Sequence, residues 1–159
     1  MEQKNLSNWL KGIIIGTGIC GTLFYLVLIL GIMKELVTEN PEFSSWYIPW
    51  SIFAIGSAIP CYIVLVHGWK IADNIGKDQS FIMENAIRLS KVSKLAAIDA
   101  IYFFVGNIVL LFCGKNHPGI VIVSVFICFA GVVVSVGMAV LSHLARKGVK
   151  LQEESDWTI

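Results

Sequence analysis

The sequence predicts an all-α integral membrane protein, a four-transmembrane-helix bundle with a short amphipathic cytoplasmic helix before the third span. Three observations carry this. Four apolar runs, at about 12–33, 48–69, 95–113 and 119–142, each approach the ~20 residues a helix needs to cross a ~30 Å hydrocarbon core. Charged residues make up 14% of the 159-residue chain and mean hydropathy is +0.75, too little polar surface to cover a soluble domain. Ten of the twelve Lys and Arg residues fall on one side of a four-span thread. In lipid the backbone must satisfy its own hydrogen bonds, so each run is expected to be a helix.

The first run, Gly12 to Met33, holds no charge. It exceeds the ~7–15 apolar residues of a secretory signal and continues into "MKELVTENPEF" without a small-x-small cleavage site. It is therefore expected to be a retained helix. Asn40-Pro41 marks a turn, and "NPEFSSWYIPW" sets Trp46, Tyr47 and Trp50 at a membrane boundary, where amphipathic aromatics settle. The second run, Ile48 to Trp69, contains Pro60, expected to kink it.

A loop follows at 70–94. Asp73 to Ser80 is polar and holds the breaker Gly76; Ser80 is a candidate N-cap. From Phe81 onward Ile82, Ala86, Leu89, Val92 and Ala96 recur at three- and four-residue steps, with Arg88, Lys91 and Lys94 on other faces. That pattern predicts an amphipathic helix on the membrane surface running into the third span. The third run, Leu95 to Cys113, carries one acid, Asp99. "GKNHPG" is a tight connection, so the third and fourth helices should pair antiparallel.

Orientation follows from charge. Lys4, Lys11, Lys70, Lys77, Arg88, Lys91, Lys94, Arg146, Lys147 and Lys150 lie on one side of a four-span thread, and only Lys34 and Lys115 on the other. The positive-inside rule then puts both termini and the central loop in the cytoplasm, and the chain in the plasma membrane.

Composition also bounds the chemistry. Net charge is +1, which offers no basis for direct nucleic-acid binding. Cys20, Cys61, Cys113 and Cys128 lie in or at the ends of apolar runs with no CxxC pair, which reads as small buried side chains and not as a disulfide framework or zinc site. No nucleophile elbow, phosphate-binding glycine loop or haem attachment sequence occurs, so no catalytic residue, metal or cofactor is expected. His67, His143 and Asp99 fall near one depth but share no HxxxH or HExxH spacing.

Asp99 and Asn107 are the candidate intramembrane polar residues. Asp99 lies ~7 Å inside the third helix at 1.5 Å per residue. Its readings are a boundary carboxylate that reaches water or pairs with Lys94, Lys91 or a lysine of the N-terminal arm, an interhelical latch, or an ion or proton site. A small-residue stripe on the fourth helix, Ser124, Cys128, Gly131, Ser135, Ala139 and Ser142, suits close packing inside the chain or in a homodimer; Gly12 and Gly16 do the same on the first helix. Past Ser142 the tail, 143–159, turns from basic to acidic. Gly148 is expected to loosen or end the helix. Glu153, Glu154 and Asp156 would be repelled by an anionic leaflet, while Trp157 and Ile159 are residues that fill a partner's groove. A disordered end is the other reading.

Two segments carry a family resemblance. "GKDQSFIMENAIRLSK" is similar to a Gly-x-x-x-Phe-x-x-x-Asn pattern, with Gly76 one residue further from Phe81 than that spacing. The ending "LQEESDWTI" is similar to Leu-x-x-Glu-x-Asp-Leu-Thr-Ile, with Trp157 in place of the usual aliphatic residue. With the four-span layout, the chain resembles a family of small bacterial four-helix membrane proteins of unknown function. Gly76, Phe81, Asn85, Glu154, Asp156, Thr158 and Ile159 match as motif positions. Members are often encoded beside a small helix-turn-helix regulator of the Cro/C1 type. The resemblance thus implies a membrane partner that holds or controls such a regulator. The residues expected to bind it, on the reading of the loop and tail as its docking face, are Phe81, Asn85, Glu153, Glu154, Asp156, Trp157 and Ile159. The alternative expectation is a small transporter or channel subunit using Asp99, Asn107 and the fourth-helix stripe.

Overall fold

The computed structural model describes residues 3–156 and is all-helical across them. Helix α1 spans Gln3–Leu26 and passes through a π-helical stretch, Val27–Ile32, into α2, Met33–Glu39. Asn40 breaks the helix, its backbone leaving the helical region at φ −128°, and a 3-10 turn, Pro41–Trp46, leads into α3, Tyr47–Gly76. Helices α4, Met83–Phe112, and α5, Pro118–Asp156, complete the chain. Four helical stretches, Gln3–Glu39, Pro41–Gly76, Met83–Phe112 and Pro118–Ser155, are long and apolar enough to cross a membrane.

The helices outrun the apolar runs that announce them. At 1.5 Å per residue the 39 residues of α5 span ~58 Å and the 30 of α4 span ~45 Å, against ~30 Å of hydrocarbon. The expected amphipathic helix on the membrane surface is not a separate element. Residues 83–94 are the first turns of α4 itself, continuous with the span. Their apolar face is used by α5: Ala86 and Val92 are buried, and Ser142 reaches the Ala86 carbonyl. Ser80 is not the cap. Ile82, in extended conformation, takes that position without a side-chain cap bond, and the Ser80 hydroxyl donates to Gln3 Oε1 at 2.9 Å. Nor does Gly148 end α5, which runs on to Asp156. Helix α3 likewise continues through Pro60.

Turns are set by left-handed residues. Asp78, at φ 62°, closes α3, its amide donating to the Ile75 carbonyl at 3.1 Å. Gly114, at φ 67°, closes α4, and the next amide, Lys115, bonds back to Leu110 at 2.8 Å. At the same end Trp50 Nε1 donates to the Lys115 carbonyl at 2.7 Å, tying the start of α3 to the α4–α5 turn.

The helices pack in sequence: α1 on α3, α3 on α4, and most extensively α4 on α5. The α3–α4 crossing interlocks glycines with rings. A Cβ on Gly106 would stand 2.2 Å from Phe53 Cε2, and one on Gly56 would stand 2.2 Å from the Tyr102 hydroxyl oxygen. Phe53 and Tyr102 stack at 5.4 Å between centroids, and the Tyr102 hydroxyl donates to the Phe53 carbonyl at 3.2 Å.

The α4–α5 contact is a ladder with a seven-residue step. Ser142 donates to the Ala86 carbonyl at 2.7 Å, Ser135 to Ser93 at 2.8 Å, and the Cys128 thiol to Ala100 at 3.4 Å. Gly131 sits among them, where an added Cβ would meet Ala100 Cβ at 3.1 Å. Such a period belongs to antiparallel helices with a shallow left-handed crossing, brought close by small residues. At Cys128, Gly131, Ser135 and Ser142 the small-residue stripe is therefore occupied within the chain by α4.

Inside and outside are reversed relative to a soluble protein. Buried Ser7, Ser57, Asn85, Ser93, Asn107, Asn116, Ser124 and Ser142 are almost as numerous as the buried apolar residues. Meanwhile Ile19, Leu23, Phe126, Phe129 and Val133 face outward. Lipid makes such exposure costless, since no water is displaced by burying them. The same reasoning corrects the cysteines. All four are free, but Cys20, Cys61 and Cys113 are exposed on helix surfaces and Cys128 is only half-buried.

Candidate functional site

Two places concentrate polar side chains: the basic end, where α1 and α4 begin and α3 and α5 finish, and the middle of the α1–α3–α4 contact.

At the basic end the N-terminal arm is strapped to α3. The Ser7 hydroxyl donates to the Ala72 carbonyl at 2.6 Å, Lys11 pairs with Asp73, and Lys11 Nζ stands 5.3 Å from the Trp69 ring centroid. Gly76 is required by this strap, since a Cβ there would lie 2.7 Å from Ser7 Oγ.

Asn85 organises the loop that follows. It is 2% exposed, its amide nitrogen donates to the Gln79 and Ser80 carbonyls at 2.9 and 3.1 Å, and its Oδ1 accepts from Asn74 Nδ2 at 2.8 Å. A side chain so committed is a brace for the loop and not a contact for a partner. Phe81 differs: it is 59% exposed, yet one edge lies over Gly148 of α5, where a Cβ would come within 2.7 Å of Cδ1. Gly76, Phe81 and Asn85 thus meet three separate neighbours, Ser7, Gly148 and Asn74, and together fix the α3–α4 loop against α1 and α5.

One turn beyond Gly148, Leu151 is 66% exposed, with exposed Glu153 following on the helix. Glu154 is also in the helix, and Asp156 is its last residue. Trp157, Thr158 and Ile159 lie outside the described residues.

Within the membrane-crossing region, Asp99 faces α3. The Cys61 thiol donates to Asp99 Oδ2 at 3.6 Å, while Oδ1 is buried without a hydrogen-bond partner. The Tyr25 hydroxyl of α1 lies 3.3 Å from Ser57 Oγ, one turn before Cys61. The ion pairs of the described residues include Lys11–Asp73 and Arg88–Glu84 but none from Asp99, so its pairing with Lys91, Lys94 or the arm, one of the readings above, does not form. Asp99 points across the helix contact, away from those lysines. Cys61, Ser57 and Tyr25 gave no sequence signal, because only the packing of α3 against α4 and α1 brings Cys61 to Asp99 and Tyr25 to Ser57.

Asn107 does not join that cluster. It is fully buried toward the α4–α5 turn, donates to the Phe103 carbonyl at 2.8 Å, and accepts from Asn116 Nδ2 at 3.1 Å through Oδ1. It is a structural cap at a different depth from Asp99. Among the described residues no group of three His, Cys, Asp or Glu side chains is placed to hold a metal ion, His67, His143 and Asp99 included.

Four apolar membrane-crossing helices, polar inner contacts and lipid-type outer faces define a multi-pass membrane protein. The chain belongs to the family described as protein of unknown function DUF2975, whose model matches residues 31–159. It is similar to an uncharacterized membrane protein, YoaS, of Bacillus subtilis (strain 168), 27% identical over 110 residues that cover 68% of this chain and 69% of that one. No solved structure matches.

Proposed function

We propose that this is a regulatory membrane protein that holds a small cytoplasmic DNA-binding regulator of the helix-turn-helix type away from DNA. The observation that carries the reading is the continuation of α5 past the apolar run to Asp156. It presents Leu151 and Glu153 on a helix that the α4–α5 ladder and Phe81 hold in place. Helix presentation of an apolar anchor beside acids suits a basic protein partner, which would lose its own phosphate-binding surface on docking. Phe81 and Glu154 belong to the same reading, with Asn85 bracing the loop beside Phe81; Asp156, Trp157 and Ile159 are assigned to the partner from the sequence. The reading places the Lys- and Arg-rich end, with both termini, in the cytoplasm of a cell whose plasma membrane holds the chain.

The test is co-expression of the full-length chain, or of a chain ending at Lys150, with a small helix-turn-helix regulator of the Cro/C1 type. The full chain should bring the regulator into the membrane fraction and reduce its operator binding in gel-shift assays. The shortened chain should do neither while unfolding at the same denaturant concentration. Equal recovery of the regulator by both chains refutes the assignment to the tail, and alkaline phosphatase activity from a fusion at either terminus refutes the orientation.

The buried, unpartnered Oδ1 of Asp99 favours a second reading, a small transporter or channel subunit with Asp99 on its path. Purified protein in vesicles should then conduct protons or monovalent cations, and Asp99→Asn should abolish the flux. Unchanged flux in that variant removes this reading.

A further inference from the structure

The α3–α4 register fixes which side chains stand level with one another. Cys61 lies against Asp99 and Asn74 against Asn85. His67 and Lys70 of α3 fall between those two pairs, level with Arg88 and Lys91 of α4. Lys70 and Lys91 are exposed, whereas His67 and Arg88 are half-buried in the seam between the helices.

Glu84 is the acid of this group. Arg88 gives both Nε and a terminal nitrogen to Glu84 Oε1, and Lys70 acts on the same carboxylate. Three cations against one carboxylate leave a surplus of positive charge. Inside it His67 Nδ1 is buried with no hydrogen-bond partner. An unpaired buried ring nitrogen beside unneutralised cations is a combination that an anion's oxygens relieve on both counts.

Depth narrows the anion. Lys91 and Arg88 lie four and seven residues before Leu95, where the apolar run of α4 begins, so ~6–11 Å outside it along the helix. That is the level of lipid head groups. We propose that Lys70, Arg88 and Lys91, with His67, form a site for a phosphate-bearing anion at the membrane boundary. A lipid phosphodiester and soluble phosphate share the required chemistry. The site is independent of the docking surface on the α5 extension.

The full-length protein is tested in lipid nanodiscs and after extraction into mild detergent. Native mass spectrometry counts retained phosphatidylglycerol against phosphatidylcholine. Selective retention of phosphatidylglycerol, weakened on the order of tenfold in K70Q/K91Q and restored in K70R/K91R, establishes the site with lipid as its source. Protection from thermal unfolding by millimolar inorganic phosphate in neutral-lipid nanodiscs, lost in K70Q/K91Q, establishes it with soluble phosphate as the source. K147Q/K150Q removes the same charge from the same end of the molecule. Equal effects in the two glutamine pairs, or neither phosphatidylglycerol preference nor phosphate protection in the unaltered protein, overturns the proposal. Both lysines are exposed, so folding is preserved, and circular dichroism of each variant verifies it.

Discussion

The Ser142 hydroxyl donates to the backbone carbonyl of Ala86 at 2.7 Å, bridging the last apolar turn of α5 to the first turn of α4. Seven residues deeper on both helices Ser135 does the same to Ser93, and seven deeper again Cys128 to Ala100. Each rung joins a side chain to a carbonyl that already serves the helix. In lipid the competing acceptor, water, is absent. The ladder explains how α4 and α5 stay together along the length of their contact.

Replacing Ser135 and Ser142 by alanine should each cost about 0.6–1.7 kcal/mol, the range measured for hydrogen bonds between membrane helices. Gly131→Leu should cost more, since its side chain would enter space held by Ala100. Unfolding by SDS titration from mixed micelles measures all three. A Gly131→Leu variant as stable as the parent would show that the helices are not held at this spacing.

Gly106 and Gly56 accept the rings of Phe53 and Tyr102. Gly106→Ala should therefore destabilise the α3–α4 contact by about 1–3 kcal/mol, as overpacking does, despite alanine's better helix propensity. Phe53→Leu in the same chain should recover part of the loss. A double-mutant cycle with coupling indistinguishable from zero would refute the interlock.

Asn85→Ala strips donors from the Gln79 and Ser80 carbonyls and the acceptor from Asn74. The expected cost is about 1–3 kcal/mol, set by buried groups left unpaired. Amide hydrogen exchange should quicken at residues 77–82 well before the apolar spans respond. Unchanged protection of that loop would contradict its dependence on Asn85.

Gly148 and Phe81 make a prediction of sign. Alanine at an exposed helical glycine gains about 1 kcal/mol from propensity, but at 148 the new methyl meets the Phe81 ring. Gly148→Ala should thus gain little in the parent chain and gain about 1 kcal/mol when Phe81 is already alanine. An equal gain in both backgrounds would mean that Phe81 does not rest there.

Among functional candidates, the sequence distinguished Asp99 because a lone acid in an apolar run is costly wherever it points. Its partner was not legible. Cys61 and Ser57 look like any small residues of a span until the register of α3 against α4 is known. Phe81 and Asn85 were both marked by their motif, yet with opposite fates: one exposed, the other sealed inside. Nothing in their spacing separates them, because the difference lies in Asn74, which comes eleven residues earlier and across a turn. What the helical stretch before the third span packs against was hidden for a related reason. Three- and four-residue periodicity reports that one face is apolar, and α5 covers that face as well as a membrane surface would.

What the sequence by itself determined was the number, order and helical nature of the spans, because a bilayer leaves a run of ~20 apolar residues no other way to pair its backbone. The tertiary structure alone decided where each helix ends, that α4 and α5 run on together past the hydrocarbon, and which polar groups meet. Those outcomes depend on interhelical register. Register is set by where glycines admit rings and hydroxyls reach carbonyls across a contact, which no single helix encodes.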